Sequence, residues 1–228
     1  MRTITLIYDG TFNTYRWLKA MMWARNEFHD LGYKIKYASI FDYVPYPKST
    51  KVPYEGIKLK WDTIGRFDIV FLAFHHSQSL IGQNSEKRIA LVKSLKQKCK
   101  LLCWLDTADS TGTCLFDVLP YVDLYFKKQL LKDTNLYTNE FYCARLYSDY
   151  YHQKLGLTDE SLASIHYHTA LKEYLHKLRV SWNVAFYDRM GGKTWIYKHP
   201  FKFADPNVIE TEDRKSTRLN SSHVRTSR

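Results

Sequence analysis

Glycine is scarce in this chain, with 9 residues in 228. Nowhere does it cluster into GxGxxG or a Walker loop, so neither of the familiar backbone cradles for a dinucleotide or a nucleoside triphosphate is present. Cysteine is scarce too. Cys99, Cys103, Cys114 and Cys143 include no CxxC pair, which argues against zinc-ribbon and thioredoxin-type chemistry. Three of them stand in or beside apolar runs, so buried free thiols in a reducing cytoplasm are expected. No apolar run approaches the ~20 residues that a membrane-spanning helix needs. The opening "MRTITLIYDG" breaks at Asp9-Gly10, too soon for a signal peptide. These absences together predict a soluble, cytoplasmic chain.

Long blocks of one charge are also missing. The net charge of +11 is spread over Lys and Arg residues with acids among them, which does not make the basic stripe of a nucleic-acid binder. Such a field can still attract phosphates or an anionic membrane leaflet. What is abundant is aromatic surface: 16% of the residues, with 18 Tyr and 6 Trp. Tyr and Trp join an apolar body to a polar tip, which suits packing and also suits sugar-facing or partner-facing surfaces.

The order of elements follows from hydrophobic period. "TITLIYD" over 3–9 is a short apolar run, then Trp17, Met21, Ala24, Phe28 and Leu31 recur at helical spacing, with Gly32 where a C-cap would stand. "YKIKYASIF" over 33–41 alternates as a strand. The stretch from Asp42 to Arg66, punctuated by Pro and Gly, is expected to be a long loop and a candidate lid. A second pair follows: "FDIVFLAFHHS" as a strand running to the histidines, and 86–99 as a helix presenting Ile89, Val92 and Leu95 or Lys96. "LLCWLD" and "DLYFKKQLL" are further strands. Residues 158–178 have helical spacing, and "SWNVAFYD" is one more candidate strand. Near-continuous apolar strands alternating with helices predict an α/β fold: a doubly wound, mostly parallel, Rossmann-like sheet.

In such a sheet ligands gather outside the carboxyl ends of the strands. Those ends carry Asp9-Gly10-Thr11, His75-His76-Ser77, Asp106-Thr107 and Lys127-Lys128. Thr11 or Asn13 opens a helix, either as its N-cap or as a donor to an anion or a hydroxyl-rich ligand. His75 and His76 alternate in direction if the strand continues, so one of them faces the crevice, where a neutral imidazole can take a proton from a hydroxyl. Asp106 is placed to orient that histidine. The pair His166 and His168 sits two residues apart in a helical stretch, pointing to different faces, which argues against a metal site.

The densest polar signal is "YFKKQLLKD" followed by "CARLYSDYYHQKLG", which gathers Lys127, Lys128, Arg145, Asp149, Tyr151 and His152. With the later "KLRVSWNVAFYD", these segments resemble bacterial glycosyltransferase-like proteins of surface polysaccharide assembly, over roughly Asp123 to Asp188. The resemblance implies the N-terminal, acceptor-side half of a GT-B architecture over 1–188, with 189–212 as a linker or the start of a second domain. It implies transfer of sugar from a nucleotide-sugar donor to a glycan or lipid-linked acceptor, with no further cofactor and no metal. On this reading His75 or His76 is the base and Asp106 its orienter. Asp9, Thr11, Asn13, Lys127, Lys128, Arg145, Asp149, Tyr151 and His152 line the substrate cleft. The protein would work in the cytoplasm, at or near the inner membrane surface, with peripheral membrane contact a further expectation. The rival is a noncatalytic flavodoxin-like or receiver-like binding module, although a receiver needs paired acids after its first strand and this strand ends in Asp9 alone.

The end of the chain raises a separate expectation. "DRKSTRLNSSH" reads back through the genetic code, in one unbroken frame, as the constant adapter of short-read DNA sequencing. Residues 213–228 are then a non-native disordered tail, in which Arg214, Lys215, Arg218, Arg225 and Arg228 stand against one acid, Asp213, and so carry four of the net positive charges. The native sequence would stop near Glu212, in the front part of a longer protein, and the piece alone is expected to be inactive.

Overall fold

In the computed structural model of this protein the described residues are 1–40, 66–159 and 169–182. All belong to a compact unit spanning Met1–Asn183. The expected lid up to residue 65, the pair His166 and His168, the linker 189–212 and the tail 213–228 lie outside the described residues.

Six parallel strands form one sheet: β1 (Arg2–Tyr8), β2 (Tyr33–Ser39), β3 (Phe67–Ala73), β4 (Cys99–Asp106), β5 (Leu124–Lys127) and β6 (Leu178–Val180). Their order is β2-β1-β3-β4-β5-β6. Strand residues point alternately to opposite faces, and each face buries its own cluster. Ile4, Leu6 and Tyr8 of β1 pack with Tyr15, Leu18 and Met21 of α1 (Phe12–Trp23). Ile7, Val70, Leu72, Leu102 and Trp104 pack on the other face, where α3 (Leu80–Gln83) leads into α4 (Ser85–Lys96) and α4 contributes Val92 and Leu95. Apolar residues on both sides of β1, β3 and β4 are why these segments read as unbroken hydrophobic runs. Helices on both faces make the α/β, doubly wound, Rossmann-like fold.

Local signals fix the helix starts. The Thr11 hydroxyl accepts from the Thr14 N–H at 3.3 Å at the start of α1, and Asn84 Oδ1 accepts from the Lys87 N–H at 2.9 Å at the start of α4. Such a cap contributes about 1 kcal/mol. The end of the first helix differs from the periodic reading. The chain turns at Ala24, α2 (Arg25–Asp30) buries no side chain, and Leu31 is exposed. Gly32 then takes φ +84°, a left-handed turn that brings the chain into β2.

Two other expectations change. The helix expected over 158–178 gives way, within its described part, to a 3₁₀ turn over Lys172–Lys177 and then to β6, because Leu178 pairs beside Tyr125 in parallel register. β5 is only four residues long. Beyond it the chain continues through irregular structure and 3₁₀ turns to α5 (Leu146–Leu155). No helix among the described residues is long and apolar enough to cross a membrane.

Candidate functional site

The strand order reverses direction between β1 and β3: from β1 the chain steps outward to β2, and from β3 it steps the other way to β4. The carboxyl ends of those two strands therefore flank the crevice at the switch point. Asp9, Thr11 and Asn13 come to it from the β1–α1 turn. His75, His76, Ser77 and Gln78 come from the turn after β3.

Asp9 binds the crevice together from beneath. Its carboxylate is fully buried and accepts from Thr11 N at 2.9 Å, from the Thr14 hydroxyl at 3.2 Å and from His75 N at 2.6 Å. Burial raises its pKa to about 6, against the pull of those hydrogen bonds. Its position corrects the expectation of a substrate contact, because the carboxylate is closed off from solvent and both oxygens are engaged internally. Thr11, also buried, is occupied as the cap of α1.

β3 stops at Ala73, so the two histidines do not alternate. Their rings stack, with centroids 4.7 Å apart and 25° between planes. Both are half-buried and share one side of the turn. His75 Nδ1 accepts from Ser77 N at 3.3 Å and lies 3.2 Å from the Ser77 hydroxyl, while the Asn13 amide stands 3.4 Å from Nε2. Asn13 also reaches the Gln78 side chain at 3.3 Å. Burial, then the neighbouring His76, pushes the His75 pKa down to about 4. Burial lowers that of His76 as well, partly opposed by Asp106. Both rings are thus neutral near pH 7. The Nδ1 atom of His76 is buried without a hydrogen-bond partner among the described residues.

At the ends of β4 and β5 the picture is different. Asp106 accepts from Ala108 N at 2.8 Å, from the Tyr125 hydroxyl at 2.5 Å and from Lys127 Nζ at 3.1 Å. Lys127 is fully buried, and its ammonium also donates to the carbonyls of Ala108 at 3.2 Å and Thr113 at 2.7 Å. Its three protons are all used. Two expectations are corrected here. Asp106 orients no histidine, because its oxygens face Tyr125 and Lys127, and Lys127 is closed off from any phosphate by the loop it holds. The sequence reading did not include Tyr125 in this network. A tyrosine two residues before a strand-end lysine shares its face, and that was the available signal.

The loop after β4 carries Asp109 to the rim. Asp109 pairs with Lys128 and its carbonyl accepts from Gln129 at 2.6 Å. Gly112 of the same loop packs against the backbone where α5 begins: a Cβ there would lie 1.8 Å from the Ala144 carbonyl oxygen. Cys143 and Ala144 take left-handed φ of 53° and 54° at this contact. Arg145 follows. Its guanidinium donates to the Tyr147 hydroxyl at 2.7 Å.

The remaining expected cleft residues belong to α5. Asp149 accepts from Tyr142 N at 3.0 Å and from Gln153 at 2.6 Å. The ring of His152 stacks on Tyr142 at 3.9 Å, and its Nδ1 lies 2.8 Å from the Leu157 carbonyl. Tyr151 is exposed. Asp149 and His152 fasten the helix to its own base, so they fall out of the cleft. The rim that the structure assembles is Asn13, His75, His76, Ser77, Gln78, Asp109, Lys128 and Gln129. Sequence reasoning missed Gln78, Asp109 and Gln129, although all three follow strand ends. Among the described residues no three His, Cys, Asp or Glu side chains gather to hold a metal ion.

Comparison of the chain with protein-family models, with curated proteins and with solved structures finds no match.

Proposed function

We propose that this chain carries the acceptor-side domain of a glycosyltransferase-like protein of the cytoplasm, which transfers a sugar from a nucleotide sugar to a glycan or lipid-linked acceptor. The observation that supports it is the chemistry of the switch-point rim. Its side chains are amides, a hydroxyl and two neutral imidazoles. Its cation Lys128 is matched by Asp109, while Lys127 is buried. Neutral donors and acceptors in a half-buried crevice fit the hydroxyls of a sugar better than a bare phosphate.

In the reaction, the acceptor hydroxyl oxygen forms a bond to the anomeric carbon as the bond from that carbon to the donor phosphate breaks. The hydroxyl proton passes to an imidazole nitrogen, and the nucleoside diphosphate leaves with the bonding electrons. His76 is the better base of the two. Both ring nitrogens of His75 have neighbours, Ser77 and Asn13, whereas His76 makes no ring hydrogen bond among the described residues; its Nδ1 is buried, so Nε2 is the atom left for the acceptor hydroxyl.

The run β2-β1-β3-β4-β5 is also the strand order of flavodoxin-like modules, and it favours the noncatalytic reading. Titration of the chain, followed residue by residue with two-dimensional NMR, separates the two. Oligosaccharides are expected to move the signals of Asn13, His75, His76 and Ser77, and His76→Ala to weaken that binding by about tenfold, the usual loss with one hydrogen bond to a bound ligand. Saturable binding of flavin mononucleotide or acetyl phosphate at the same residues, with none by oligosaccharides, would overturn the glycosyltransferase reading.

A further inference from the structure

α5 is built inside out. Its polar side, Ser148, Asp149 and His152, turns toward the protein, where Asp149 holds the Tyr142 N–H and His152 stacks on the Tyr142 ring. Positions 146, 147, 150, 151, 154 and 155 share the other half of the helix circumference at 3.6 residues per turn. There Leu146, Tyr147, Tyr150, Tyr151 and Leu155 are each between 41% and 64% exposed, and Leu157 continues the patch past the Gly156 cap. A soluble helix ordinarily arranges these faces the other way round. Contiguous exposed apolar surface of this kind marks an interaction site.

The charges on that half say what meets it. Lys154 lies among the tyrosines and Arg145 at the head of the helix, its guanidinium 5.8 Å above the Tyr147 ring. The only acid of α5, Asp149, is turned inward and engaged. Leucines for the acyl boundary, tyrosine hydroxyls for the headgroup level and two cations for phosphates are the elements of a helix lying in a membrane interface. A second copy is a poorer occupant, because this face carries Arg145 and Lys154 and no acid to answer them.

We infer that the outward face of α5 is a docking surface for an anionic phospholipid bilayer, with Leu146, Tyr150 and Leu155 entering the interface and Arg145 and Lys154 meeting lipid phosphates. None of its residues belongs to the strand-end rim of Asn13, His75, His76, Ser77, Gln78, Asp109, Lys128 and Gln129, so it does not depend on the glycosyltransferase reading.

Co-sedimentation of the full chain with vesicles tests it. Binding to vesicles of phosphatidylglycerol mixed with phosphatidylcholine is expected, falling as salt rises, with little binding to pure phosphatidylcholine. The double substitution Tyr150→Ala, Leu155→Ala removes apolar contact and leaves every charge in place, including those of residues 213–228. It is expected to lower the partition constant by about tenfold, as the loss of two partly buried side chains requires. Both residues are exposed, so an unchanged circular dichroism spectrum accompanies the loss, and Lys154→Glu reproduces it from the charge side. Wild-type binding by the double variant would overturn the inference, as would equal, salt-insensitive binding to both vesicle types. A concentration-dependent dimer in sedimentation velocity, abolished by the same double substitution, would give the face to a second copy instead.

Discussion

The two halves of the sheet's carboxyl rim carry polar groups for opposite purposes. At β4 and β5, Asp106, Tyr125 and Lys127 are buried, and the acid and the ammonium each find three partners within the protein. At β1 and β3, the imidazoles of His75 and His76 are half-buried and neutral, His76 makes no ring hydrogen bond among the described residues, and the turn rests on the buried Asp9. A charged pair at a strand end is therefore no pointer to chemistry by itself. Saturated hydrogen-bonding valence marks a strut, and unsatisfied valence facing a crevice marks a site.

Substitutions can break that contrast, and the largest effect belongs to the strut. Lys127→Met leaves the Asp106 carboxylate buried without its counter-charge and is expected to lower unfolding free energy by about 3–5 kcal/mol in urea denaturation. His76→Ala, at the open half, removes a half-buried ring that makes no hydrogen bond among the described residues and is expected to cost about 1 kcal/mol, the average for a single substitution. Equal losses in both would erase the distinction.

The pH dependence sharpens it, because Asp9 and His75 titrate in one window with opposite signs. The folded state holds the Asp9 proton more tightly than the unfolded chain does, so that contribution is complete below pH 4 and is lost as pH rises to about 6. The folded state holds the His75 proton less tightly, its pKa falling from 6.5 to about 4, so stability from this group grows as pH rises through the same range. His76, lowered by burial as well, adds to the rise, so wild-type stability is expected to grow with pH over this range. Asp9→Asn should steepen that rise and His75→Gln flatten it, each by about 2–3 kcal/mol in denaturation curves collected from pH 4 to 6.5.

Smaller effects follow at the loop between the halves. Gly112→Ala drives a methyl group into the Ala144 carbonyl and is expected to cost about 2 kcal/mol of stability by overpacking, read as a lower thermal midpoint. Lys128→Ala breaks an ion pair whose acid is largely exposed, and the same measurement should show a change of no more than about 0.5 kcal/mol.

Period and strand ends made most of this architecture legible in the sequence. The apolar runs of β1, β3 and β4 are buried on both faces, and α4 presents Val92 and Leu95 as its spacing predicts. The meeting of β1, β3 and β4 ends along one rim also followed from the parallel reading. What escaped was valence. Sequence shows that Lys127 and Asp106 stand at neighbouring strand ends, but their closure by Tyr125 and by the carbonyls of Ala108 and Thr113 depends on a loop whose path no local pattern fixes. The direction of the histidines failed for a related reason, since β3 ends at Ala73, short of the histidines to which the strand was expected to run. In α5, Asp149 and His152 were expected in a cleft because polar residues invite that reading. Tertiary packing turned them inward.

The indole of Trp182 donates to the Trp17 carbonyl at 2.7 Å, and the indole of Trp17 donates to the Thr107 carbonyl at 3.0 Å. Residues 17, 107 and 182 are thereby stitched in series across most of the unit. During synthesis from the amino end, the earliest helix emerges long before its last tether exists. Its final seating waits for the tryptophan at 182 to clear the ribosome, which makes this unit late to mature despite its early beginning.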